Sequence, residues 1–166
     1  MTRRTTAMLN QLLPQTIDNT YRGHKLALWL FALLVFMRVA MSLNSIFNGY
    51  SVASSADGIP LATYTSAAAR TIVTLFALLG LSHFVICVLC VFVLVRYRSM
   101  IPFMFALLLL EHLSRKLILY VMPIIRTGTP PASAINLVIL ALMIAGLALS
   151  LWRQGSPPEG SSEVTP

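Results

Sequence analysis

Residues 101–122 read IPFMFALLLLEHLSRKLILYVM. Twelve of these residues are Leu, Ile, Phe or Val, yet Glu111, His112, Arg115 and Lys116 interrupt the run from its centre onward. A bilayer core of about 30 Å takes about 20 mostly apolar residues as a helix, so the whole stretch can span, whereas the apolar halves flanking the charges, roughly 10 residues each, cannot. A charge at a helix centre costs about 2.5–3.5 kcal/mol on the insertion scale, and each large apolar residue returns about 0.3–0.6 kcal/mol. Glu111, Arg115 and Lys116 therefore cancel what the apolar residues gain. Such a segment is expected to insert only beside other helices that compensate its charges.

Helical geometry indicates how some compensation arises. At about 100° per residue, Arg115 lies one turn beyond Glu111 and about 40° around the axis, the spacing of an i, i+4 ion pair. His112 stands likewise to Lys116. All four fit a sector of about 140°, so one face of the helix must look into protein or water.

Composition places the rest of the chain in the same setting. Of 166 residues, 57% are hydrophobic and 10% charged, and the mean hydropathy is +0.81, far from the usual soluble domain. Four stretches are long and apolar enough to cross a bilayer: Leu26–Ile46, Ile72–Val95, Ile101–Met122 and Ile135–Trp152, that is 26–46, 72–95, 101–122 and 135–152. The expected fold is an all-α membrane protein, a four-transmembrane-helix bundle over 26–152, with a cytoplasmic segment 1–25 ahead of it and a disordered cytoplasmic tail 153–166. The lead and the first apolar run are both too long for a cleaved signal peptide, so the first helix reads as an uncleaved anchor. Met8, Leu9, Leu12, Leu13 and Ile17 fall at roughly helical spacing in the lead, as in an interfacial helix, although Pro14 interrupts it. Ser66 and Ser133 are positioned to cap the second and fourth helices.

Orientation follows from the basic residues. With the N-terminus inside, Arg3, Arg4, Arg22, Lys25, Arg96, Arg98 and Arg153 face the cytoplasm and only Arg70 and Arg126 face the opposite side, a positive-inside bias. The net charge of +7 is thereby explained by topology and by anionic lipid. No nucleic-acid partner is implied, because the aromatic interleaving of an RNA-binding patch is missing. This bias, the short loops and the absence of glycosylation sequons fit a bacterial inner membrane.

Counted from segment midpoints at about 1.5 Å per residue, His83, Glu111 and His112 share the midplane, Arg38 lies a few ångströms outward, and Arg115 and Lys116 lie roughly 5–7 Å nearer the outer face. These six residues form the candidate binding site, a polar layer at mid-membrane. Glu111 is the sole acid within the four segments, so two positive charges are expected to need an anionic group or water. The competing reading has Lys116 and Arg115 snorkelling to the headgroups around a structural Glu111 pair. Ala141, Ala145 and Ala148 suggest a close-packing face on the fourth helix. His83 and His112 at equal depth are the pattern that axial ligands of a b-type haem would make, set against the simpler reading of two polar bundle histidines. Cys87 and Cys90 have CxxC spacing but lack nearby ligands or groups that would activate a thiol, and read as packing residues. No cofactor or metal is otherwise indicated.

In size and helix count the chain resembles small bacterial four-helix membrane families such as the DoxX-like proteins, with no diagnostic residue to tie it to any of them. The sequence favours a non-enzymatic accessory, assembly or interaction subunit, with membrane lipids and a membrane-protein partner or a second copy of itself as partners. An oligomeric transporter or conduit for a small anion or protons is the main alternative, followed by a lipid-modifying enzyme and a haem protein.

Overall fold

The computed structural model describes residues 19, 21, 23–128 and 130–152. Of these, 84% are helical and none is in a strand. Four long helices organise them: α1 (Lys25–Phe47), α2 (Ser66–Arg96), α3 (Ile101–Val121) and α4 (Pro131–Leu151). The expected interfacial helix over residues 5–17 and the tail 153–166 lie outside the described residues.

Local chemistry fixes the helix ends. α1 starts after His24, whose Nδ1 accepts from the Leu26 N–H at 3.1 Å. α2 begins at Ser66, six residues ahead of the expected Ile72, and its cap is Thr65, whose Oγ1 accepts from the Ala68 N–H at 3.3 Å. The Ala-rich lead-in is a good helix former, so the helix outruns the apolar segment. α4 likewise begins early, at Pro131, because proline is pre-organised for a first helical position. Ser133 therefore sits inside the first turn, its hydroxyl donating to the Pro130 carbonyl, and does not cap the helix.

α1, α2 and α4 are long and apolar enough to cross a membrane, yet only 22–33% of the residues in their most apolar windows are buried. The outward faces carry large apolar side chains such as Phe36, Leu78, Leu89, Leu137 and Ile144. Surface this apolar and continuous is incompatible with water and suits lipid. α3 is as long as α4 but carries Glu111, Arg115 and Lys116.

Packing divides the molecule along its axis. At the Arg96 end lies the main core, where Phe31, Leu34 and Val35 of α1 meet Cys90 and Val93 of α2, Met104, Phe105 and Leu108 of α3, and Ile139 and Met143 of α4. Phe31 and Phe105 pack edge to face with ring centroids 5.0 Å apart, a favoured aromatic geometry. Cys87 and Cys90 are both free thiols buried in this region, as packing residues should be. Two glycines permit close helix approach. A Cβ on Gly80 would stand 2.8 Å from the Ser45 Cβ and 3.0 Å from the Ser42 carbonyl, and a Cβ on Gly146 would run into the Phe105 ring. The inward face of α4 is thus Ile139, Met143, Gly146 and Ser150. Ala141, Ala145 and Ala148 are exposed, so the expected alanine face is not the one that packs against the other helices; the larger residues beside Gly146 fill the core instead.

The opposite end has a small second core. The α1–α2 connection passes through a π-helical turn (Val52–Ala56), and buries Ala53, Ile59 and Leu61 against Ile72, Val73 and Phe76 of α2. Gly58, at φ +71°, offers its carbonyl to the N–H (2.8 Å) and hydroxyl (3.1 Å) of Thr127 in the α3–α4 connection. The two connections are thereby clasped, and the polar residues lie between this cap and the main core.

Candidate functional site

Glu111 sits at the middle of α3 and gathers one basic group from each of three helices. Its Oε2 accepts from Arg38 Nη1 of α1 at 2.7 Å, and its Oε1 accepts from Arg115 Nη2, one turn along α3, at 2.6 Å. His83 Nε2 of α2 lies 2.9 Å from the same Oε1 and also contacts Arg115 Nη2. Both carboxylate oxygens are engaged with charged donors, the strong class of hydrogen bond. The i, i+4 spacing read from the sequence does bring Glu111 and Arg115 together; the link to Arg38 across 73 residues needed the fold.

The tautomer of His83 is constrained by its surroundings. Nδ1 lies 2.7 Å from the Leu79 carbonyl, which only accepts, so Nδ1 carries a proton. In the neutral ring Nε2 is then an acceptor, and it accepts from Arg115. With His83 neutral, the two guanidiniums and one carboxylate leave a formal charge of +1.

The exposure of these groups differs. Arg38 has a side chain 9% exposed, Glu111 25% and Arg115 46%. His112, next to Glu111 in sequence, is 5% exposed, and its Nε2 is buried without a hydrogen-bond partner among the described residues. Lys116 is exposed and stands outside the cluster. Four of the six expected site residues thus form one connected group, His112 lies buried beside it, and Lys116 does not join. The expected balance of charge changes accordingly: Arg38, expected to lack an internal partner, shares the Glu111 carboxylate with Arg115.

A pocket of about 80 Å³ adjoins the cluster, lined by Arg38, Ser42, His83, His112, Arg115 and Asn136 among others. Ser42 and Asn136 are each five residues from the clasped-loop end of their helices, about 7–8 Å at 1.5 Å per residue. The pocket therefore extends from the mid-helix cluster toward that end. Asn136 was legible in the sequence as the polar residue near the outer end of the fourth segment, though not as part of the charged layer; the only available signal for Ser42 was that it lies one turn after Arg38. Asp57, whose only sequence signal is the Asp-Gly turn it makes with Gly58, also lies at this end. Burial pushes its carboxyl above the ordinary aspartate value, against the opposing pull of Arg126 and then Arg115.

Both ring nitrogens of His83 have partners within the protein, and His112 lines the same pocket, whose volume holds a few waters. Among the described residues no three His, Cys, Asp or Glu side chains are grouped to hold a metal ion. Chemically, the site can stabilise a compact negative charge. No protein family, curated protein or solved structure matches this chain.

Proposed function

We propose that the chain is a four-span membrane protein with both termini cytoplasmic, and that it serves as a non-enzymatic accessory or interaction subunit of a bacterial inner membrane. On this reading α3 inserts as the fourth span because Arg38 and His83 compensate its Glu111. The role is to dock an acidic group, from an anionic lipid or another membrane protein, into the polar layer. The observation that carries it is charge count: two guanidiniums share a single carboxylate beside a polar pocket, and an uncompensated charge at that depth is costly unless something anionic completes it. Cross-linking and affinity capture from the native membrane test the proposal. A stoichiometric membrane protein or an enriched anionic lipid should co-purify with the wild type and fall away with Arg115→Gln. Recovery of a bare monomer, unchanged by that substitution, would refute it.

A conduit for protons or a small anion is the second reading, favoured by the position of His83 Nε2 between Glu111 and Arg115. Flux into proteoliposomes should then drop in Arg38→Ala; equal leak in wild type and variant removes it.

A further inference from the structure

The geometry points to the identity of the docked group: the pocket between α1, α2, α3 and α4 is a binding site for one phosphate group carrying a single negative charge. This rests on the docking reading above and narrows it to a ligand class. Charge sets the valence, since Arg38 and Arg115 against Glu111 leave one positive charge at the wall. A phosphodiester, as in a phospholipid headgroup, and the monoanion of inorganic phosphate both match it. Volume sets the size of the seated group, because about 80 Å³ takes one compact oxyanion and leaves whatever it is esterified to outside the pocket.

The donors suit oxygen. The guanidiniums of Arg38 and Arg115 carry more N–H groups than their hydrogen bonds to Glu111 use, and guanidinium forks match phosphate oxygens. Asn136 supplies an amide from α4 on the pocket's loop-end side. His112 provides the second, independent sign of a ligand: a histidine 5% exposed that lines the pocket and has a buried ring nitrogen without a partner. Buried polar atoms are nearly always satisfied, and an anion seated beside His112, drawing the ring toward it, satisfies this one. The pocket's reach toward the clasped loops, about 7–8 Å short of the helix ends, brings it within range of a headgroup drawn inward from one leaflet.

The two free thiols, Cys87 and Cys90, are buried, so a thiol-reactive dye reports unfolding of the intact protein in detergent. Melting should be followed against sodium phosphate, with sodium chloride at matched ionic strength as control. It should then be repeated in mixed micelles containing phosphatidylglycerol, with diacylglycerol as the phosphate-free control. A saturable rise of about 5 °C or more at saturating ligand is expected, with Asn136→Leu abolishing it. Asn136→Leu fills the pocket while leaving every ion pair intact, so it stays informative even where Arg115→Gln fails to fold. A rise with inorganic phosphate alone identifies the free ion as the ligand; a rise with phosphatidylglycerol alone identifies the headgroup. No rise with either, or a rise that survives Asn136→Leu, overturns the site. If neither probe acts yet a membrane-protein partner is captured as above, this inference fails while the docking reading stands.

Discussion

Arg38 Nη1 on α1 lies 2.7 Å from Glu111 Oε2 on α3, and the Arg38 side chain is 9% exposed, whereas Arg115, on the other carboxylate oxygen, is 46% exposed. The two arginines therefore respond differently when their shared partner is lost. Arg115 can turn its guanidinium outward along a long stem; Arg38 cannot leave without unpacking α1.

Removing Glu111 should thus be rescued by one second substitution and not by the other. Glu111→Leu strands a buried guanidinium, a change of the kind that costs about 3–5 kcal/mol. Adding Arg38→Leu removes that charge and should restore most of the lost melting temperature. Adding Arg115→Leu instead leaves Arg38 buried and unpaired, and should restore little. Thermal melts of the single and both double variants decide it, and equal rescue by the two arginine substitutions would show that Arg38 is not the trapped charge.

Gly146 should tolerate a methyl group only when Phe105 shrinks. An added Cβ runs into the Phe105 ring, and overpacking of a filled core costs about 1–3 kcal/mol. Gly146→Ala is expected to melt below wild type, and Gly146→Ala with Phe105→Leu to recover part of the loss relative to Phe105→Leu alone. A non-additive pair in a double-mutant cycle is the signature; strict additivity would mean that α3 and α4 do not meet at this point.

The particular residues show what a linear pattern can and cannot reveal. Three apolar spans were legible because a helix facing lipid on most sides needs nothing but length and hydropathy. The Glu111–Arg115 pair was legible because both lie on one helix, where spacing fixes distance. The convergence of Arg38 and His83 on Glu111 was not, since it depends on how three helices are rotated about their axes. The packing face of α4 was misjudged for the same reason: a nearly uniform apolar helix, flanked by small residues on two sides, does not announce which side is inward. Asp57 was hidden because a turn signal says nothing of what the turn rests upon.

Asp57 should make stability fall as pH rises. Its folded carboxyl titrates above the ordinary aspartate value, because burial outweighs the attraction of Arg126 and Arg115. The folded state accordingly prefers the protonated acid. Its contribution is fully present below the unfolded value, about 3.9, and is lost as pH climbs through the higher folded one. Asp57→Asn keeps the shape without the charge, and is expected to flatten this part of the stability–pH curve and to melt above wild type at neutral pH. A variant that melts lower at neutral pH would show that attraction to the two arginines outweighs burial.

The clasp between the two connections offers the last test. Gly58 and Gly128 both have left-handed backbones, at φ +71° and +73°, and an L-residue there costs roughly 1–2 kcal/mol. Their surroundings differ. A Cβ on Gly58 would meet the Thr127 carbonyl at 3.1 Å, while one on Gly128 would meet nothing within 4 Å. Gly128→Ala should therefore carry the backbone cost alone, and Gly58→Ala should carry it together with separation of the loops. Because the Thr127 N–H donates to the Gly58 carbonyl at 2.8 Å, amide hydrogen exchange at Thr127 reports the clasp directly. Protection should be largely lost in Gly58→Ala and mostly retained in Gly128→Ala. If both variants exchange alike, the close approach of the loops is not what holds them, and the cap over the polar pocket is looser than the hydrogen bonds imply.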